Sequence, residues 1–390
     1  MIPNLLHWQD SVVVLDIKQE NWNITSRYRA VALKQNCYLF NPAAADGRSH
    51  RYNPLTYIER EDPGKRIDDV QKIAGMLFPD REGTDVIWTA TPRALFTGIV
   101  SLLLDLEGES GAPPVTIGQV LRESLKDGDG AQYFAGLLDE RKREGKPLSE
   151  ATLAGLNSYI SIQSENTRAG VLGSFRSRLE IWLNPLVDSA TAGNDFDLRE
   201  LRTKPMSVYL GVTPDNLDRM GPVLNLFFQQ LIDLNTRSLP GYGEKGKHQC
   251  LLLMDEFPSL GKVSILNKGI AYIAGYGLRM LPIIQSPSQL VDVYGRDAAQ
   301  TFQSNHAVSI IFPPKASETQ TARDISEWLG YETVTSRSRS RGQGIFVKNR
   351  QASESLSDQR RALLLPQEIT SLGAKVAVSY THLTLPTILL

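Results

Sequence analysis

The chain has 390 residues, which is enough for two or three domains because a single hydrophobic core seldom grows beyond about 250 residues. Its 41% hydrophobic and 22% charged content and its formal net charge of -1 exclude a disordered or fibrous protein and indicate no bulk attraction to nucleic acid or membrane. The cysteines, Cys37 and Cys250, lack any Cys-x-x-Cys or Cys/His spacing, so neither a disulfide framework nor a zinc site is supported.

No segment is predicted to span a membrane. The best apolar run, over residues 94–106, is interrupted by Thr97, Ser101 and Asp105 and is shorter than the roughly 20 residues that a membrane helix needs. The start of the chain, MIPNLLHWQD, has neither the basic start nor the long apolar core of a signal peptide.

Short apolar runs predict a series of strands. The first, SVVVL over residues 11–15, is rich in β-branched residues, which is typical of a central strand covered on both faces. Similar runs follow at residues 37–40, 206–210, 250–254, 281–284 and 307–312, and helical patterns lie between them, notably at 214–237 and 316–329. Strands that alternate with helices predict an α/β fold with a doubly wound, mainly parallel sheet.

One region departs from this alternation. Residues 91–194 have an almost wholly helical pattern, broken by Gly, Pro and Asp. We therefore predict an all-α domain inserted between two strands of the sheet, with a first part of the α/β domain at 1–90, the helical domain at 91–200 and the second part at 201–378.

Two adjacent acids end one of the predicted strands. Asp255 and Glu256 directly follow LLLM, and the chain then breaks at Pro258. In a doubly wound sheet, ligands bind at the carboxyl ends of the strands. In a nucleotide-hydrolysing motor, the first acid holds Mg²⁺ through its water shell and the second polarises the attacking water. The alternative is that both acids cap the helix that follows, whose N-terminus favours anions.

A glutamine ends the next predicted strand. Gln285 follows LPII and precedes Pro287, so it is a candidate to contact a γ-phosphate or the attacking water. An ordinary turn amide is the competing interpretation.

The sequence contains no G-x-x-x-x-G-K-[ST] phosphate cradle, which a nucleotide motor needs. The nearest match, GYGEKGKH at 241–248, ends on His and precedes a strand instead of following one, so we interpret it as a solvated loop. MIPNLLHW is predicted to be the end of a helix that leads directly into the first strand, and we expect that the chain has lost a preceding segment.

Six ordered segments resemble one family. They are IPNLLHWQDSVVVLDIKQENW, DFDLRELRTKPMSVYLGVTPDNL, NLFFQQLIDLNTR, CLLLMDEFPSLGK, YIAGYGLRMLPIIQSPSQLVDVYG and RRALLLPQEI. Together they are similar to the cytosolic part of TraG-type coupling proteins of type IV secretion systems, the conjugal DNA transfer ATPases. The resemblance covers residues 2–375, nearly the whole chain.

The resemblance implies a RecA-like P-loop NTPase that binds ATP and Mg²⁺ and forms a homo-hexamer at the cytoplasmic face of the bacterial inner membrane. It implies that such a protein delivers relaxase-bound single-stranded DNA, or protein effectors, to the inner-membrane components of the secretion channel. Asp255 and Glu256 match the Walker B acids of the family, and Gln285 matches its glutamine after the next strand. The helical region corresponds to the all-α domain that the family uses for substrate recruitment.

Three departures from the family pattern stand out. The membrane helices and the Walker A loop are absent, so the chain alone is expected to bind ATP poorly and to be inactive. Where some relatives have an arginine finger this chain has Ala274, and the nearby Arg279 is not assigned that role. The last residues, SYTHLTLPTILL at 379–390, do not fit the family, and we expect them to be non-native.

Other functions remain open at this stage. The helical region could be a non-catalytic recruitment module that presents Arg168, Arg176 and Arg178, although these arginines also fit an exposed helix face. A related DNA-pumping ATPase of chromosome segregation is a further alternative. Residues 336–361 hold seven Lys or Arg against Glu354 and Asp358, which fits phosphate binding, although a solvated loop is the favoured interpretation.

Overall fold

The computed structural model describes residues 1–80, 83, 85–126, 130–240, 247–340, 353–372 and 378–381. The chain divides into two compact units, Met1–Gln285 and Ser286–Leu390.

The strands of the first unit are β1 (Ser11–Asp16), β2 (Asn36–Phe40), β3 (Met206–Gly211), β4 (Cys250–Met254) and β5 (Leu278–Pro282). Its helices are α1 (Ile2–His7), α2 (Glu20–Val31), α3 (Pro63–Leu77), α4 (Ile87–Leu106), α5 (Ile117–Ser124), α6 (Gly130–Arg143), α7 (Glu150–Ile160), α8 (Glu165–Leu179), α9 (Pro185–Ala190), α10 (Leu217–Asn235) and α11 (Ser264–Gly269).

A five-stranded sheet forms the centre of the first unit. Its strand order is β2-β3-β1-β4-β5, and every pairing is parallel. Strands β1, β3 and β4 are buried along their whole length, as their uninterrupted apolar sequences require. The predicted doubly wound parallel sheet is confirmed.

Helices cover both faces of this sheet. On one face, Leu5 of α1 and Trp22 of α2 pack against a cluster that includes Val12, Val14 and Leu253. On the other face, α10 packs against the sheet with its buried side chains. The ring of Phe227 in α10 stacks on that of Phe40 in β2, with centroids 6.2 Å apart. The sheet is thus the middle of three layers.

The fifth strand begins earlier in the chain than the sequence predicts. Residues 281–284 were the most apolar part of the segment, but β5 begins at Leu278, which pairs with Cys250 at the start of β4. The strand ends at Pro282, which has no N–H for the ladder and is tolerated because β5 lies at the edge of the sheet. Register with β4 therefore decides the bounds of β5.

The region between β2 and β3 is helical, as predicted, and α4 lies at its centre. In the described part of the chain, α4 is the helix that is long and apolar enough to cross a membrane, but 61% of its most apolar window is buried inside the protein. It crosses α7 at Gly98 and Gly155, where a Cβ on Gly155 would lie 2.5 Å from the Cα of Gly98. The two backbones are therefore in direct contact. The domain bounds that we predict for this region, 91–200, stay a prediction.

The second unit contains helices and two small antiparallel sheets. Its elements are α12 (Pro287–Tyr294), α13 (Arg296–Ser304), β6 (Val308–Ile311), α14 (Thr319–Leu329), β7 (Tyr331–Ser340), β8 (Ser353–Ala362), α15 (Pro366–Ser371) and β9 (Val378–Thr381). The run at 307–312 does form a strand, β6, but it pairs antiparallel with β9 and not in a parallel sheet.

Two other predictions fall in this unit. The basic segment 336–361 was expected to be a loop, but its described part belongs to β7 and β8, which form a ribbon of ten residue pairs. Arg341, Lys348 and Arg350 lie outside the described residues. Residues 379–381 of the final segment belong to β9, and 382–390 lie outside the described residues. The non-native origin of 379–390 stays a prediction.

The two cysteines differ in burial, which predicts different reactivity. Burial raises the pKa of the Cys250 thiol to about 12, while Cys37 is half-buried and its pKa is also raised by burial. Because the thiolate is the reactive form, a thiol reagent at neutral pH should label Cys37 slowly and Cys250 only after unfolding. The measurement is Ellman titration of the native and denatured chain. A Cys37→Ser variant that still reacted in the native state would contradict this assignment.

Candidate active site

Three neighbouring strands deliver polar side chains to one edge of the sheet. Strand β1 ends at Asp16, β4 leads directly into Asp255 and Glu256, and β5 is followed three residues later by Gln285. Because these parallel strands are in register, with Leu15 opposite Met254 and Met254 opposite Pro282, their carboxyl ends lie side by side. The structure thus brings the predicted acids to one end of the sheet and places the segment that carries Gln285 next to them.

Backbone hydrogen bonds continue beyond the strands and hold this edge together. The N–H of Asp255 donates to the carbonyl of Leu15 at 3.4 Å, and the N–H of Ile283 donates to that of Met254 at 2.9 Å. The N–H of Phe257 then donates to the carbonyl of Ile283, also at 2.9 Å. The loop that carries the two acids is therefore fixed between β1 and the segment that leads to Gln285.

Glu256 has an unusual backbone conformation. Its φ of 49° and ψ of 49° lie in the left-handed region, which non-glycine residues seldom occupy and which costs on the order of 1–3 kcal/mol. The carbonyl of Glu256 accepts hydrogen bonds from the N–H and hydroxyl of Ser259, which stabilise the turn. Gln19 and Lys34 have the same left-handed backbone among the described residues, so the strain at Glu256 supports a functional role only together with its place at the edge of the sheet.

The capping alternative for the acids is not supported. The residues after Glu256 form a four-residue 3₁₀ turn, Phe257–Leu260, and the Glu256 side chain makes no capping hydrogen bond to it. The carboxylates are left available for another partner.

Asp255 is half-buried among other negative charges. Burial is the largest factor that raises the pKa of its carboxyl, followed by the charges of Glu256 and Asp16. The charge of Lys18 and the N–H of Glu256 oppose this rise in pKa. Repulsion of this kind is relieved when a cation binds.

Asp16 is a member of the site that sequence reasoning missed. It is fully buried, and its carboxylate accepts hydrogen bonds from the backbone N–H groups of Asn21 and Trp22 at 3.2 and 2.7 Å and from the Asn21 amide at 3.2 Å. Burial raises its pKa despite these bonds. The signal was present in the sequence, because SVVVLD, like LLLMDE, is an apolar strand that ends on an acid.

Gln285 is exposed at the end of the first unit. Its proposed role remains a prediction.

The site fits a Mg²⁺ ion held through water better than one held directly. In the part of the chain that the structure describes, no group of three or more His, Cys, Asp or Glu side chains could enclose a metal ion. Mg²⁺ commonly keeps several waters and uses one or two carboxylates together with substrate phosphates. The Asp255–Glu256 pair, with its mutual repulsion, provides that donor set.

A polar cavity of about 330 Å³ lies elsewhere, near the start of β2 and β3. Its charged side chains already form ion pairs of 2.6 to 2.8 Å, namely Arg51 with Asp195, Arg199 with Asp197 and Lys204 with Glu200. We do not assign it to the site because it is at the opposite end of the sheet and its charges are satisfied.

The other candidate arginines have local structural partners. Arg168 donates to the carbonyl of Ile162 at 3.0 Å, and Arg176 donates to that of Ser124. Arg279 donates to the Gln249 side chain at 3.0 Å, and Ala274 lies in a 3₁₀ turn, Ile273–Tyr276. Both arginines are partly exposed, and their interpretation as an exposed helix face or as part of a recruitment surface stays a prediction. The glycine-rich segment at 241–246 lies outside the described residues.

Solved structures share this fold. The plasmid coupling protein TrwB in complex with the non-hydrolysable ATP analogue ADPNP superposes with a TM-score of 0.65 at 20% identity, over 97% of this chain and 76% of that chain. TrwB in complex with ADP and Mg²⁺ superposes with a TM-score of 0.59 at 18% identity, over 96% of this chain and 82% of that one. The likeness shows the RecA-like α/β fold of P-loop NTPases.

Sequence relatives identify the family. Protein VirD4 of Agrobacterium fabrum is 33% identical over 95% of this chain and 52% of its own length, and the conjugal transfer protein TraG of Escherichia coli is 28% identical over 94% of this chain and 58% of its own. The chain thus spans about half the length of these curated relatives. The model of the family described as Type IV secretory system Conjugative DNA transfer matches residues 1–388. The chain belongs to the type IV secretory system conjugative DNA transfer family.

Proposed function

We propose that this chain is the cytosolic motor part of a conjugative coupling protein, in which ATP hydrolysis powers the transfer of DNA or protein into a type IV secretion channel. The observation that carries the proposal is the acidic pair Asp255–Glu256, held at the carboxyl edge of a RecA-like sheet with Glu256 in a strained conformation.

Each residue of the edge has a chemical role in this proposal. Asp255 holds the hydration shell of the metal, and Glu256, beside it, orients the attacking water and polarises it. Gln285 contacts the terminal phosphate or that same water. When bound, Mg²⁺ supplies the positive charge that neutralises the phosphate oxygens. Asp16 keeps the end of β1 attached to α2 and so fixes the position of Asp255.

The proposal requires a phosphate cradle, and the given sequence contains no G-x-x-x-x-G-K-[ST]. We propose that the full-length protein contains this cradle and membrane helices, acts as a homo-hexamer at the cytoplasmic face of the inner membrane, and receives relaxase-bound single-stranded DNA or protein effectors. Support comes from the family and from relatives about twice as long as this chain.

Replacing Glu256 with glutamine in the full-length protein tests this function. The change keeps the size of the side chain but removes the group that polarises water, so ATP hydrolysis should fall about 100-fold or more while ATP still binds. Conjugative transfer should fall with it. The measurements are steady-state phosphate release, nucleotide affinity and transfer frequency.

Glu140, an exposed residue of α6, provides the matched control. A Glu140→Gln variant should hydrolyse ATP and transfer DNA at the wild-type level. Unchanged transfer in the Glu256→Gln variant would eliminate the motor function and would favour a recruitment module that works without hydrolysis.

A further inference from the structure

A lysine lies directly beside the acidic edge and has no partner of its own. Lys18 is the second residue after β1, in the short loop that leads into α2, and its side chain is exposed. Within the residues that the structure describes, it forms neither an ion pair nor a side-chain hydrogen bond. Three carboxylates, those of Asp16, Asp255 and Glu256, lie at the same end of the sheet.

The loop that carries Lys18 is held in a defined conformation. The N–H of Gln19 donates to the carbonyl of Asp16 at 3.2 Å and closes a turn around Lys18. Gln19 adopts a left-handed conformation with a φ of 55°, and the Asp16 carboxylate anchors the next residues through Asn21 and Trp22. Fixed residues on both sides thus flank the lysine.

Lys18 is also electrostatically coupled to the site. Leu15 pairs with Met254, so the chain beyond β1 runs alongside the loop of Asp255 and Glu256. Among the described residues, Lys18 is the cation whose charge acts on the Asp255 carboxyl, against the repulsion from Glu256 and Asp16. A Lys ammonium is a compact, strongly hydrated point charge on a flexible stem, which suits phosphate binding.

We propose that Lys18 is a phosphate-binding residue of the nucleotide site and contacts the terminal phosphate of ATP. The inference rests on the proposed function and extends it to a residue in the loop after β1, whereas Asp255 and Glu256 follow β4. A site with three carboxylates repels a polyphosphate, and Lys18 offsets part of that repulsion on the β1 side of Asp255. Because the Lys18 side chain is exposed, an entering phosphate would not have to displace a described protein partner from it.

The test compares ATP with ADP, because only ATP has the terminal phosphate. In the full-length protein, the affinities of Lys18→Met and wild type for fluorescent ATP and ADP analogues are measured by titration with Mg²⁺ present. We expect Lys18→Met to bind ATP about tenfold more weakly with little change for ADP, as loss of one charge-assisted hydrogen bond predicts. Lys18→Arg should restore most of the ATP affinity.

Lys142, an exposed lysine in the last turn of α6, is the matched control, and Lys142→Met should bind both nucleotides as wild type does. If Lys18→Met lost affinity for ATP and ADP equally, or for neither, Lys18 would not contact the terminal phosphate. A wild-type protein that bound no nucleotide would instead overturn the proposed function itself. The two failures are therefore distinguishable.

Discussion

Replacing Arg29 with methionine is expected to destabilise the chain by about 4 kcal/mol or more, because it leaves several buried acceptors without a donor. Arg29 is fully buried in α2. It donates to the carbonyls of Leu5, Trp8 and Asp10, to the Gln35 amide oxygen at 2.8 Å and to the Ser207 hydroxyl at 2.7 Å.

Through these hydrogen bonds, Arg29 connects α1 and the residues that lead into β1 with β3. None of its partners is a carboxylate, so its charge is balanced by the dipoles of the peptide groups and side chains, and burial lowers its pKa. Lysine carries the same charge but lacks the planar fork of five N–H donors. Arg29→Lys should therefore restore only a small part of the stability.

Arg27 provides the control on the same helix, since it is exposed. Urea denaturation followed by circular dichroism measures the free energy of unfolding, and Arg27→Met should change it by less than about 0.5 kcal/mol. A loss below about 1 kcal/mol for Arg29→Met would show that the buried network has little energetic importance.

Replacing Gly155 with alanine is expected to destabilise the helical region by about 2–3 kcal/mol, although alanine normally favours a helix. The new Cβ would lie 2.5 Å from the backbone N and Cα of Gly98 and 2.8 Å from the carbonyl oxygen of Ala94. Backbone atoms of a buried helix cannot move aside as a flexible side chain does, so α4 and α7 would have to separate. Gly98→Ala should act in the same direction, with its Cβ 2.7 Å from the backbone of Gly155 and Leu156.

Gly136 in α6 is the matched control because a Cβ there meets nothing within 4 Å. Gly136→Ala should raise the melting temperature, since it gains helix propensity of up to about 1 kcal/mol without a clash. Thermal unfolding monitored by circular dichroism compares the two variants. Shifts of the same sign in Gly155→Ala and Gly136→Ala would contradict the close crossing.

Much of the sheet could be predicted because its strands are buried on both faces. The runs that form β1 and β4 are uninterrupted, so their bounds follow closely from local sequence. β5 was displaced because its bounds depend on register with β4, which a local pattern does not contain. The same applies to β6, whose antiparallel partner, β9, lies about 70 residues further along the chain.

The candidate site was predicted only in part. Asp255 and Glu256 stand out because they are adjacent and follow an apolar run. Asp16 ends β1 and Lys18 lies in the loop after it, and only the pairing of β1 with β4 shows that they share an edge with Asp255 and Glu256. The burial of Arg29 could not be predicted from the sequence either, because it is one of two arginines on α2. Arg29 is the buried one because its guanidinium donates to carbonyls of the segment between α1 and β1.

The left-handed conformation of Glu256 makes 256 a position where the substitutions that best fit the backbone would remove the acid. Glycine adopts this conformation without steric cost, and asparagine tolerates it better than most residues. Selection of a mutant library for heat resistance alone would therefore enrich glycine or asparagine at position 256 and discard the acid.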